Sequence, residues 1–192
     1  MMRITRRSSG FTLVELLVVI GIIVLLAGLI FPQIQNARRK GQRVKCVNYL
    51  RQLGLASRDY QEDDDTNLYP YAGEGCTGTE HLALLVVEKY VREPEMFKCP
   101  ASSGKREAVK NEDKTFTLEK INNSYAWSSV PLSDADESDV YLGGDGAVRN
   151  GPVSNNHLDG MNVLRLDNAV QWIDMKKKRD DEKKIPEELA AP

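Results

Sequence analysis

The chain predicts an α+β fold, in which a long N-terminal helix, half membrane span and half amphipathic, packs on a small antiparallel sheet domain. Three observations predict it. From Phe11 to Phe31 the chain is apolar except for one charged side chain, Glu15. The stretch that follows has apolar residues returning at spacings of three and four, the period of a helix with one buried face. Beyond residue 60 come short apolar runs punctuated by Gly, Asp and Asn, which read as strands and turns.

The first element is a membrane helix. A run of about 20 apolar residues crosses a bilayer core of roughly 30 Å. A carboxylate inside such a run costs about 2.5–3.5 kcal/mol at the bilayer centre and less near its edge, so Glu15 needs a partner. Gly21 and Gly28 lie seven apart and share a face, which suits close helix approach in lipid, although glycine is common in membrane helices anyway. Pro32 has no N–H and leaves the Gly28 carbonyl without its usual donor, so a kink is expected there. Arginines 3, 6 and 7 precede the run, and Arg38, Arg39, Lys40, Arg43 and Lys45 follow it. Counting cations therefore does not orient the span. The apolar run is longer than that of a secretory signal peptide and has no Ala-x-Ala site after it.

The helix continues amphipathically. Cys46, Leu50, Leu53, Ser57 and Tyr60 form a stripe that Val47 and Ala56 widen, with Arg39, Arg43, Gln52 and Arg58 opposite. Glu62-Asp63-Asp64-Asp65 places acids where a helix C-terminus disfavours them by about 0.3–1 kcal/mol each, so a break near Tyr60 is expected. Thr79 would cap a second helix over 80–91, stopped by Pro94. Strands are expected over 115–118, 124–128 and 140–142, with Gly143-Gly144-Asp145-Gly146 as a turn. The clearest hairpin is 162–166, a two-residue Asp167-Asn168 turn, then 169–173. In that register Val163 faces Trp172, Leu164 faces Gln171 and Arg165 faces Val170. The tail from Lys176 to Lys184, with six basic and three acidic residues, reads as exposed and poorly ordered.

The formal net charge is −2; without residues 1–10, which hold three arginines and no acid, 23 basic residues face 28 acidic ones, a net of −5. No nucleic-acid partner is expected. His81 and His157 are the only histidines, and no nucleophile–base–acid set is visible, so the chain does not read as an enzyme. His81 reads as a partly buried surface residue. No paired-cysteine spacing points to a metal, and no cofactor is expected. Calcium is the one cation the spacing leaves room for, at Asp63, Asp65, Asn67 and Glu74. Leu68 stands there where a calcium loop needs glycine. Asp134, Asp136 and Asp139 form a second acidic loop. Cys46, Cys76 and Cys99 allow one disulfide in three ways, with one thiol left over.

Ser9-Gly10-Phe11-Thr12-Leu13-Val14-Glu15-Leu16-Leu17 resembles the processing motif of type IV prepilins and type II secretion pseudopilins. The resemblance implies cleavage between Gly10 and Phe11 by a prepilin peptidase, N-methylation of Phe11, and a role for Glu15 in filament assembly. Pro32 falls where many pilins carry a helix-interrupting proline. His157 followed after nine residues by Asp167 resembles the C-terminal signature of a large group of pilin-like proteins, with Asn168 replacing a glycine. Those two residues are expected either to form a binding site or to pair across the hairpin. Cys46-Val47-Asn48-Tyr49-Leu50-Arg51-Gln52 and Phe97-Lys98-Cys99-Pro100 also look like that group. The resemblance favours a Cys46–Cys99 disulfide, with Cys76–Cys99 as the alternative.

The chain is thus divided as leader 1–10, membrane helix 11–34, amphipathic continuation 35–60, globular domain 61–175 and charged tail 176–192. As the resemblance implies, it is a structural subunit, assembled with copies of itself and related pilins into a pseudopilus or pilus. Type II protein secretion is the leading use. Its partners would be the prepilin peptidase, an inner-membrane assembly platform and the bilayer, with the N-terminus cytoplasmic and the C-terminal domain periplasmic. The alternative is a membrane-anchored or filament-tip module that displays the C-terminal domain to an extracytoplasmic ligand.

Overall fold

The computed structural model describes residues 11–147, 154–157, 160–174 and 189–190. Contacts divide the chain into two units, residues 1–40 and 41–192. The 51-residue helix α1, Leu13–Asp63, supplies most of the described part of the first unit and opens the second. Helix α1 runs through position 32, so the residue expected to kink the helix lies inside it rather than at its end. In the first unit the apolar side chains are exposed: Phe11 is 76 %, Val24 70 % and Leu29 65 % accessible. A continuous apolar surface of that kind is stable only against lipid or other helices.

From Gly41 onward α1 is a core helix. Cys46, Tyr49, Leu50, Leu53, Ala56 and Ser57 are buried, so the expected stripe is present and Tyr49 widens it. Gln61 is also buried, and the helix ends at Asp63 rather than near Tyr60. The side read as polar is not wholly free. There the Arg43 guanidinium lies 3.6 Å from the centre of the Trp172 ring; Gln42, one turn before Cys46 on the stripe's side, donates to the Pro100 carbonyl at 3.2 Å. Burial pulls the Arg43 pKa down, while Asp145 and Asp174 support its charge.

Helix α2, Gly78–Val87, begins two residues earlier than expected. Its cap is Thr77, not Thr79. The Thr77 hydroxyl accepts from the Glu80 amide, and the Glu80 carboxylate accepts from the Thr77 amide at 2.6 Å, a reciprocal capping box. Thr79 is buried instead. The helix stops at Val87, not Val91, because Lys89 takes a left-handed backbone, φ +66°. A 3₁₀ turn, Pro94–Phe97, follows and buries Phe97.

The main sheet has five strands in the order β6-β5-β2-β1-β7, and every pairing is antiparallel. They are β1 Ala126–Ser128, β2 Tyr141–Gly144, β5 Gly160–Arg165, β6 Val170–Asp174 and β7 Leu189–Ala190. Strands β3 Gly146–Ala147 and β4 Ser154–Asn155 form a separate two-stranded ribbon. The central strands are buried nearly throughout, as expected where both neighbours are strands. Leu142 and Leu164 join Trp127, Tyr125, Phe97 and the α1 stripe in one apolar cluster. Gly143 lies under Trp127; a Cβ there would meet the ring carbon Cε3 at 2.5 Å. Gly54 similarly lets the β5–β6 hairpin approach α1, since a Cβ would meet Leu164 Cδ2 at 3.1 Å.

Three strand expectations change. Residues 115–118 bury Phe116 and Leu118 but join no ladder, so they form an extended loop. The tail contributes β7, which pairs Leu189 with Ser128 and covers an edge of β1. Residues 176–188, where the charge run was read, lie outside the described residues. The hairpin register is offset by one from the expected one: Asn162 faces Trp172, Val163 faces Gln171 and Leu164 faces Val170. The loop holds three residues rather than two. Only Asn168 needs a positive φ, +60°, whereas a two-residue turn would demand it of Asp167 as well.

Candidate functional site

At the start of α1, the Glu15 carboxylate accepts from the Thr12 amide at 2.8 Å and from its hydroxyl at 2.7 Å. The Thr12 hydroxyl accepts in turn from the Glu15 amide at 3.3 Å. This is a second capping box, which gives Glu15 a role inside its own chain: it closes the first turn of the apolar helix. Phe11 is exposed beside it. Gly10, the other half of the expected cleavage site, lies outside the described residues. Glu15 is the one ionisable group in the apolar segment, so its charge is available to a cation that reaches the helix end.

A second constellation is buried in the globular unit. Cys46, in α1, is joined to Cys99, just after the 3₁₀ turn, with Cα atoms 5.6 Å apart. Cys76 is a free thiol. His157 and Asp145 lie against this disulfide. His157 Nε2 is 3.1 Å from Asp145 Oδ2 and 3.6 Å from Cys99 Sγ. Asp145, between β2 and β3, is fully buried. Its carboxylate accepts from the Asn162 amide at 2.7 Å and from Asn162 Nδ2 at 2.5 Å. A buried carboxylate is tolerated when donors surround it in this way. Tyr125, also buried, donates its hydroxyl to Cys46 Sγ at 3.7 Å, and burial raises its pKa well above the ordinary value.

The expected pairing of His157 with Asp167 is corrected by this geometry. His157 precedes β5 and bridges to Gly160, whereas Asp167 sits in the loop at the far end of β5. The nine-residue spacing spans a whole strand, roughly 17–20 Å at 3.3 Å per residue. Asp167 instead pairs with Arg165 and accepts from the Ala169 amide at 2.9 Å, which shapes the hairpin loop and holds its carboxyl below the usual range. The partner of His157 is instead Asp145, which stands in a stretch that the sequence marks as a turn. Its flanking glycines gave the turn signal, and no local pattern marks an acid that a strand will bury.

His81 also differs from expectation, being fully buried in α2. Its Nδ1 accepts from the Ala72 amide at 2.9 Å, and its ring stacks on Tyr71. Burial pushes its pKa down. Members of both acidic loops bind groups of their own chain. Asp63 accepts from Tyr90, whose pKa is pushed up to about 12 by that bond. Asp134 accepts from Tyr69 at 3.0 Å, and burial first, then that bond, pushes Tyr69 up to about 12. Asp136 accepts from the Ser133 amide at 2.7 Å.

Residues 5–31 match the family model described as the prokaryotic N-terminal methylation motif. The chain is 39 % identical over 70 residues to the type II secretion system core protein G of Aeromonas hydrophila, covering 36 % of this chain and 48 % of that one. It is 36 % identical over 61 residues to the type IV wide pilus major component PilA4 of Thermus thermophilus, covering 32 % and 47 %. It is 36 % identical over 74 residues to the type II secretion system core protein G of Escherichia coli, covering 38 % and 50 %. The chain therefore spans about half the length of the curated relatives it matches. No solved structure matches it.

Proposed function

We propose that this chain is a processed filament subunit of the type IV pilin and type II secretion pseudopilin kind, serving type II protein secretion; the match of its N-terminal segment supports this reading. A prepilin peptidase cuts between Gly10 and Phe11 and the new amine is methylated. The mature chain waits in the inner membrane, N-terminus cytoplasmic and globular unit periplasmic, until an assembly platform adds it to a pseudopilus. The match to two core G proteins of secretion systems favours secretion over a surface pilus.

The observation that carries this reading is Glu15, one carboxylate in an exposed apolar helix, four residues after Phe11. In lipid an unpaired charge is costly, so a cation in register removes the penalty. The cation is the methylated amine of Phe11 on a neighbouring subunit. In the single chain Glu15 is satisfied by Thr12; in the filament it passes to the neighbour. This makes the pair a device for axial register.

Two substitutions separate those roles. Glu15→Gln keeps the oxygen that closes the capping box but removes the charge; Glu15→Ala removes both. Both variants should insert and be processed, and both should lose most filament yield, scored by electron microscopy of sheared fractions. Wild-type filament yield from Glu15→Gln would show that capping, not charge, is what assembly needs.

A further inference from the structure

We propose that Cys46, Cys99, Asp145 and His157 are the four ligands of a closed tetrahedral site for Zn²⁺, available whenever the two cysteines are reduced. Their ligand atoms lie within 4.8 Å of one another and all four residues are buried. Two thiolates, an imidazole and a carboxylate form a donor set that suits zinc and excludes calcium or magnesium, which prefer oxygen alone.

The spacing fits. With bonds of about 2.3 Å to sulfur and about 2.0–2.1 Å to nitrogen or oxygen, tetrahedral edges are ~3.6 Å from sulfur to nitrogen and ~3.3 Å from nitrogen to oxygen. The observed separations are 3.6 Å for Cys99 Sγ to His157 Nε2 and 3.1 Å for His157 Nε2 to Asp145 Oδ2. The sulfurs are bonded here and must part to ~3.8 Å around zinc. Side-chain rotation achieves this between Cα atoms 5.6 Å apart.

The surroundings fit as well. One nitrogen, Nε2, faces both a sulfur and a carboxylate oxygen, so a cation seated between them would be within reach of three ligand atoms at once. This also rules out a cysteine–histidine–aspartate relay, which needs the base and its orienting acid on opposite ring nitrogens. Asn162 holds the Asp145 carboxylate with two donors, and Tyr125 donates to Cys46 Sγ, the outer contacts that fix ligands in metal sites.

The chain leaves the ribosome reduced. Zinc binding releases the two thiol protons to water. Oxidation reverses it: an organic disulfide takes two electrons and leaves as two thiolates, the Cys46–Cys99 bond forms, and the ion departs. Metal and disulfide are thus alternative clasps between α1 and the loop that follows the 3₁₀ turn.

The test uses the full chain in detergent with Cys76→Ser, so that Cys46 and Cys99 are the only thiols. Reduced with a phosphine and titrated with Co²⁺ as the probe, it should bind one equivalent, with thiolate-to-cobalt charge transfer and strong visible bands of tetrahedral cobalt. Zinc should displace the cobalt. The same chain oxidised should bind none, a control that needs no folded variant. Cys99→Ser and His157→Gln should each weaken binding at least 100-fold. X-ray absorption of the zinc form should show two sulfur and two nitrogen or oxygen neighbours. Equal binding by the oxidised chain, no binding by the reduced one, or a sulfur count other than two would overturn the assignment.

Discussion

His81 shows how one buried ring couples stability to pH. Its folded pKa lies below the ordinary value of about 6.5, because burial disfavours the charged form. On acidification the unfolded chain takes up the proton first. Stability is therefore complete above about pH 6.5 and falls as pH drops through and below it. His81→Asn offers an oxygen to the Ala72 amide and cannot titrate. Thermal unfolding between pH 7.5 and 5 should show a smaller loss of melting temperature in the variant than in the parent chain. Equal losses would show that His81 takes up its proton alike in the folded and unfolded chain. Burial of this kind is hard to read locally: His81 sits on an apolar helix, but the Ala72 amide and Tyr71 that enclose it come from the preceding loop.

At the scale of elements, the β5–β6 hairpin tests whether backbone strain has been read correctly. Asn168 carries the positive φ of the three-residue loop. Asparagine and glycine accept that region, whereas alanine meets a penalty of about 1–2 kcal/mol. Asn168→Ala should therefore destabilise the protein by about 1 kcal/mol in urea unfolding, and Asn168→Gly should be neutral or better. Identical midpoints for the two variants would place the strain elsewhere. The alternating residues of this hairpin were legible in the sequence, and so was the α1 stripe, because each depends on the period of its own backbone. The register was not, because a one-residue difference in loop length leaves the apolar pattern of each strand intact. Residues 115–118 failed for a different reason: they alternate like a strand and bury Phe116 and Leu118, but they pair with none of the described strands. The Thr77 capping box was present in the sequence as a threonine three residues before Glu80, and Thr79 competed with it as a nearer cap.

For the whole molecule, two kinds of surface divide the chain. The first unit exposes apolar side chains that only lipid or neighbouring helices can cover, and the second buries a core that α1 shares with the sheet. That division was legible because a single-charge apolar run and an amphipathic one differ in composition as well as period. The convergence of Cys46, Cys99, Asp145 and His157 was only half visible. The cysteines stood in recognisable stretches, but Asp145 reaches them through β2 and β3, whose placement no short motif records. As proposed, the apolar helix becomes a mature N-terminus bearing the cation that Glu15 meets. Intact-mass and N-terminal peptide spectrometry of the full chain, expressed with a prepilin peptidase, tests it most directly. The expected product is a polypeptide that begins at Phe11 and carries one added methyl group there. A chain that keeps residues 1–10 with an unmodified start would contradict it.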